Sequence, residues 1–202
     1  RSGEIYDLLR HITRRSNYIS EHSFLLTYIS CSILKESPYA HPDNELSLSV
    51  AAFFHDIALD SHEKARVQSK HENQFKMLGI ADQEDVIHHP MRGAKLVSQI
   101  TGIPDKVLTI MSQHHEKYDG TGFPNGIDYK RIHPLSAIFN LSHELAVYFY
   151  DSGQNPANIR DILQDLSREY LRGNYKMALD AAFKVFFADE EALEDQSNKK
   201  AV

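Results

Sequence analysis

The chain has a single cysteine, Cys31, among its 202 residues. It can form no internal disulfide, and a reducing compartment fits it best. Cys31 itself sits in an apolar helical run and reads as a buried core thiol. No apolar stretch approaches the roughly 20 residues needed to cross a bilayer. The start, Arg1-Ser2-Gly3, has none of the charged, apolar and small-residue pattern of a secretory signal, so the expectation is a soluble cytoplasmic protein. Positive charge is also scarce, with 22 Lys and Arg against 28 Asp and Glu and a net charge of -6. A duplex backbone rewards a basic face, so a nucleic-acid polymer is a poor partner, and any phosphate ligand must be gripped locally. Alternation of period two is missing, as is any internal repeat.

What remains is helical periodicity along a chain that is 42% hydrophobic, enough for one compact all-α domain of about seven helices. Residues 1–16 read as an N-terminal helix, Gly3 to Arg15, or as a linker from an upstream domain. Residues 17–188 read as the functional domain, and 189–202, charged and polar with little to bury, as a fraying, disordered tail. Helices are expected at Asn17 to Lys35, Leu46 to Leu59, Pro90 to Thr101, Pro104 to Glu116, Pro134 to Asp151, Pro156 to Leu171 and Tyr175 to Ala188. Proline at a first helical turn marks four of these starts. The cluster from Asp119 to Gly126 is the densest group of turn formers and reads as an ordered loop.

Twelve histidines are an unusual number and invite a metal hypothesis. His22 lies on the apolar stripe Tyr18, Leu25, Ile29, Ile33 and faces inward. His55-Asp56 follows the apolar run Val50 to Phe54, where a buried carboxylate requires pairing, hydrogen bonds or a metal. Taken alone, the pair also fits an aspartate at the helix edge beside a core histidine. His22 alone also fits a core histidine, and His88-His89-Pro90 a helix start with exposed rings. His114-His115 ends an amphipathic helix and runs into Glu116 and the glycine-rich loop. Adjacent rings on a helix point about 100° apart, so both reach one ion only if it lies off the helix end.

The run from His114-His115-Glu116 through Asp119-Gly120-Thr121-Gly122-Phe123-Pro124 resembles the HHExxDGxGYP signature of HD-GYP domains, with Phe123 in the tyrosine position. His22 resembles that family's first histidine, His55-Asp56 its HD pair, and His89-Pro90-Met91-Arg92-Gly93 its HPxxG. The resemblance implies a helical phosphodiesterase that hydrolyses cyclic diguanylate, mainly to the linear dinucleotide, in bacterial signalling. It also implies two divalent transition-metal ions, iron first and manganese next. His22, His55, Asp56, His89, His114, His115 and His143 would be the ligands and Asp56 the bridging catalytic carboxylate.

The chain departs from the family pattern at several positions. His143 stands where the family has a metal-binding aspartate, and Glu144 could take that place by a small shift of helix phase. Tyr18 and Ala146 stand where members with three ions carry acids, and Leu59 where a lysine often follows the HD pair. Substrate grip is expected from Lys64, Lys70, Arg92 and Lys117, with Arg66 and Lys76 in the same polar segment as the first two, and from Asp119, Gly122, Phe123 and Pro124. Phe123 is expected to be partly exposed, as a substrate or partner contact or else as a hydrophobic plug. The alternative function is a sensor of the nucleotide, or a module that docks a signalling protein through Gly122-Phe123-Pro124.

Overall fold

Apolar residues at helical spacing must be buried against one another, and this requirement arranges the chain. The computed structural model describes residues 17–151 and 159–200. Among these it has α1 (Asn17–Lys35), α2 (Pro42–Phe54), α3 (His62–Ala65), α4 (Asn73–Met77), α5 (Ile80–Val97), α6 (Asp105–Gln113), α7 (Pro134–Asp151), α8 (Ile159–Leu166) and α9 (Gly173–Lys200). No strand occurs among the described residues, so the class is all-α as expected. No helix of the described residues is long and apolar enough to cross a membrane. The expected helix from Gly3 to Arg15 and the expected start at Pro156 lie outside the described residues.

Helix α1 buries Leu26, Ile29, Ile33 and Leu34 where it packs on α2, α7 and α9, while α6 packs on α5, α2 and α7. Leu48, Ala51 and Ala52 of α2, Val107, Ile110 and Met111 of α6, and Leu135, Ile138, Phe139 and Leu141 of α7 complete the main core. A smaller cluster, Val67, Phe75, Val86 and Phe123, sits beside it. The functional histidines stand at the ends and inner faces of these same helices.

Helices α1 and α7 have the bounds read from the sequence; others differ for local reasons. Helix α2 starts at Pro42 rather than Leu46 because His41 caps it, accepting from the Asp43 N–H, with Pro42 and two acids in the first turn. It stops at Phe54, not Leu59. Helix α5 starts at Ile80 and takes Pro90 into its interior, where the sequence suggests a helix start. Helices α6 and α8 end earlier than expected, and α3 and α4 arise in the polar segment after His55-Asp56. Helix α9 runs to Lys200 although a fraying tail is expected after Ala188. Ala, Glu and Leu in that stretch have high helix propensity, so it can extend the ladder.

Tyr175 of α9 is fully buried, and its hydroxyl donates to the Glu116 carbonyl at 2.8 Å. Asn140 of α7 donates to the carbonyls of Gln113 and Glu116 at 3.0 and 2.9 Å. Together they seal the last carbonyls of the segment that carries His114 and His115. Tyr175→Phe is expected to lower stability by about 1 kcal/mol, measured by urea denaturation, because Asn140 still serves the Glu116 carbonyl. A loss above about 3 kcal/mol would place a larger role on that hydroxyl.

Candidate metal centre

A histidine presents a ligand atom in a fixed direction only if its other ring nitrogen is held. Three rings here are held in the same way. His55 Nδ1 lies 2.9 Å from the Ala52 carbonyl, His89 Nδ1 2.7 Å from that of Val86, and His114 Nδ1 2.6 Å from that of Met111. Each partner is the carbonyl three residues back. At the ends of α2 and α6 such carbonyls have run out of intrahelical donors. Within α5 the vacancy comes from Pro90, which has no N–H to give to Val86, four residues before it. The proline inside the helix is what frees an acceptor for His89.

A carbonyl can only accept, so each Nδ1 carries a proton and each ring turns its Nε2 inward. His89 Nε2 and His114 Nε2 are 3.0 Å apart, a separation that needs a proton or a metal cation against the two nitrogens. His55 Nε2 is 3.2 Å from Asp56 Oδ2, while Asp56 Oδ1 faces His89 at 3.2 Å and His114 at 3.8 Å. The two oxygens of one carboxylate thus serve two sets of rings. Ligand atoms of Asp56, His89, His114 and His115 form one group, and those of His22, His55 and His143 a second, each group within 4.8 Å. All seven residues are buried. The Nε2 atoms of His55 and His143 and Oδ1 of Asp56 are buried with no protein hydrogen bond, as expected of a donor set for a borderline transition metal.

Burial, and secondarily His55, pushes the His22 pKa down to about 3. Burial, with the neighbouring histidines, likewise holds His114, His115 and His143 well below the usual range. At Asp56 burial works the other way, but His55 and His89 outweigh it and keep the carboxyl ionised. His55 is lifted because Asp56 overcomes the cost of burial. Four of the imidazoles, those of His22, His114, His115 and His143, are thus held neutral beside one ionised carboxylate, a composition that favours a bound cation.

The Gly-rich loop clasps this centre. Glu116, buried directly after His115, accepts from the Asn125 and Ile127 N–H groups at 2.8 and 3.0 Å, and the Phe123 N–H donates to the His115 carbonyl at 3.0 Å. A Cβ on Gly122 would fall 2.3 Å from the Lys117 nitrogen and 2.4 Å from the His115 carbonyl oxygen, so only glycine fits there. Phe123 then stacks on the His115 ring, centroids 4.5 Å apart at 19°. Its exposure is 1%, which corrects the expectation of a partly exposed ring. Phe123 is a plug, filling the small cluster beside Val67, Phe75 and Val86.

The family model described as HD domain matches residues 12–175. The chain belongs to the HD domain family. Proteins with this domain are mostly metal-dependent hydrolases. The solved structure of Bd1817, a HDG"Y"P protein from Bdellovibrio bacteriovorus, aligns over 83% of this chain with a TM-score of 0.59 and 18% identity. At that identity the likeness is one of fold. The chain spans about half of that protein, 52% of its length. No curated protein sequence matches the chain.

In the HD domain a constriction of about 10 Å³, the throat, is lined by Gln68, Lys117, Asn140 and Glu144 and borders His114, His115 and His143. Outside it lies a cleft in which Lys117, Asp119 and Glu144 take part. Of the residues expected to grip substrate, Lys117 and Asp119 are therefore at the opening. Lys64 is not free to meet a phosphate: it is buried, with Asp60, Asp82 and Asp85 at 3.0, 2.6 and 3.0 Å. Arg92 pairs with Asp85 at 2.7 Å. Gly122 is buried under the loop, Pro124 and Lys70 are half-buried, and none of them lines the throat or the cleft. Glu144 turns toward the cleft, where it accepts from the Tyr170 hydroxyl at 2.7 Å, while His143 turns inward. The clasping acid Glu116 carries no role that the sequence assigns, and Tyr170, whose spacing with Leu163 and Leu166 marks it only as a core residue, also bonds Glu144. A carboxylate following two histidines is the signal for the first, and no local signal marks the contact of Tyr170 with Glu144.

Phe123→Ala in this HD domain is expected to cost about 3 kcal/mol, the usual penalty for emptying a buried aromatic site, and to weaken metal retention by freeing the His115 ring. Chemical denaturation and elemental analysis of the purified variant measure the two. Unchanged stability would remove the plug assignment.

Proposed function

We propose that this HD domain is a metal-dependent phosphodiesterase that hydrolyses cyclic diguanylate, mainly to the linear dinucleotide. The observation that supports it best is the meeting of two buried ligand groups, six imidazoles in all, at Asp56, whose Oδ1 lies in one group and whose Oδ2 faces His55 of the other. His22, His55 and His143 with Oδ2 of Asp56 would hold one ion, and His89, His114 and His115 with Oδ1 the other. A donor set rich in imidazole with one carboxylate suits iron, with manganese next, better than magnesium. When bound, such a pair lowers the pKa of a water and neutralises charge on a phosphate.

The chain's own groups then do the rest. Asp56 ties the two ligand sets together, and the carbonyls of Ala52, Val86 and Met111 aim three of the rings. Lys117 stands at the throat and offers its ammonium to a phosphate oxygen, as a preorganised charge where negative charge develops. The burial of the histidines keeps bulk water from the centre and strengthens these interactions. Leu59 and Phe123 supply neither the cation nor the phenol found in the similar HD-GYP domains, which favours a slow enzyme. Ala146, where members with three ions carry an acid, favours two ions and the linear product. The alternative of a docking module working through Gly122-Phe123-Pro124 needs an accessible ring, which Phe123 does not offer.

Protein prepared anaerobically with iron or manganese is expected to carry about two ions per chain and to cleave cyclic diguanylate. Asp56→Ala is expected to lose both ions, and His22→Ala about one, since only Asp56 reaches both ligand sets. Elemental analysis with product chromatography reads both. Turnover by metal-free protein, or tight nucleotide binding without turnover at full occupancy, would remove the enzymatic reading, the second in favour of a sensor.

A further inference from the structure

The cleft outside the throat has two lobes, of about 630 and 290 Å³, and Lys117, Glu144 and Glu169 line both. Lys117 and Glu144 also line the throat that reaches His114, His115 and His143. A dinucleotide whose phosphate rests against Lys117 would therefore have one lobe of the cleft on either side of it. The larger lobe is not built for a second phosphate. Its cations Lys117 and Arg168 are matched by Asp119, Glu144 and Glu169, and Arg168 is already paired with Asp165 at 3.0 Å.

The walls of that lobe include Tyr118 and Tyr170, with Tyr118 held flat against Tyr129, centroids 4.9 Å apart at 16°. Braced aromatic surface of this kind suits a flat, neutral ring. Two of the three carboxylates are engaged: Asp119 accepts from the N–H and hydroxyl of Thr121 at 2.9 and 2.7 Å, and Glu144 from Tyr170. Glu169 is exposed and makes no side-chain hydrogen bond or ion pair among the described residues. An open pair of acceptor oxygens thus stands where the two lobes meet, beside tyrosine. Among the nucleobases, guanine carries an imino N–H next to an amino group, which matches both oxygens of one carboxylate. Adenine puts a ring-nitrogen lone pair where the imino proton would be, and that lone pair is repelled.

We propose that the larger lobe is a guanine pocket and that Glu169 is its specificity-determining residue, an inference that rests on the metal centre acting on a nucleotide phosphodiester. The test is calorimetric titration of the manganese-loaded protein with cyclic diguanylate, cyclic diadenylate, GMP and AMP, alongside Glu169→Gln and Glu169→Ala. Both substitutions are at an exposed position, and circular dichroism checks the fold. The wild type is expected to bind the guanine compounds at least about tenfold more tightly than their adenine counterparts, the span of one bidentate contact. Both variants are expected to lose that preference by weakening guanine binding alone. Equal binding of the two bases by the wild type, a preference that survives in both variants, or binding of neither base would overturn it. A Glu169-dependent preference for GMP without hydrolysis of cyclic diguanylate keeps the pocket and removes the phosphodiesterase reading. Hydrolysis with indifference to the base does the reverse.

Discussion

Three backbone carbonyls, those of Ala52, Val86 and Met111, decide what the centre of this domain can be. Each lies where the helical ladder is interrupted, at a helix end or opposite a proline, and each takes the Nδ1 proton of the histidine three residues on. Because the acceptor has no proton of its own, each Nδ1 is held as a donor and each of the three Nε2 atoms faces inward. Rings crowded in this way around one carboxylate are costly to bury without a cation. The same interruptions place His55 beside Asp56 and His114 beside His115 at helix termini, so neighbours in sequence can reach one centre.

The supporting shell extends this logic outward. Glu116 pins the loop from Asn125 to Ile127, and Gly122 lets the loop lie against the backbone of His115. Phe123 uses that closeness to brace the ring of His115 with an apolar face. Tyr175 and Asn140 close the carbonyls behind it. Lys64, ringed by three aspartates, ties α3 to the start of α5, the helix that carries His89. Phe123 braces a candidate ligand directly and the other contacts act at one remove, while the charged ones hold structure. That leaves Lys117 as the cation standing at the throat.

Much of the fold was legible in the sequence because it depends on local pattern. The all-α class, the bounds of α1 and α7, and the inward turn of His22 follow from apolar spacing alone. Boundaries failed where a single side chain overruled the pattern. His41 capped α2 earlier than its apolar run suggested, and Pro90 was absorbed because His89 took the acceptor it left. Phe123 was misjudged as partly exposed because the partners that cover it, Val67, Phe75 and Val86, lie far away in the chain. The histidine and aspartate ligand candidates were readable through motifs, since adjacent pairs and a glycine-rich loop are short-range features.

The sequence by itself determined the chemistry on offer: histidines in excess, one aspartate among them, more acidic than basic side chains, and helices to carry them. Tertiary structure alone decided how that chemistry is divided. Helix packing put His143 with His22 and His55, and His89 with His114 and His115, and it turned one oxygen of Asp56 to each side. It also bound Lys64 and Arg92 into ion pairs while leaving Lys117 and Glu169 open at the cleft. The physical reason is that direction and partnership of side chains are set by contacts between segments far apart in the chain, which local periodicity does not encode.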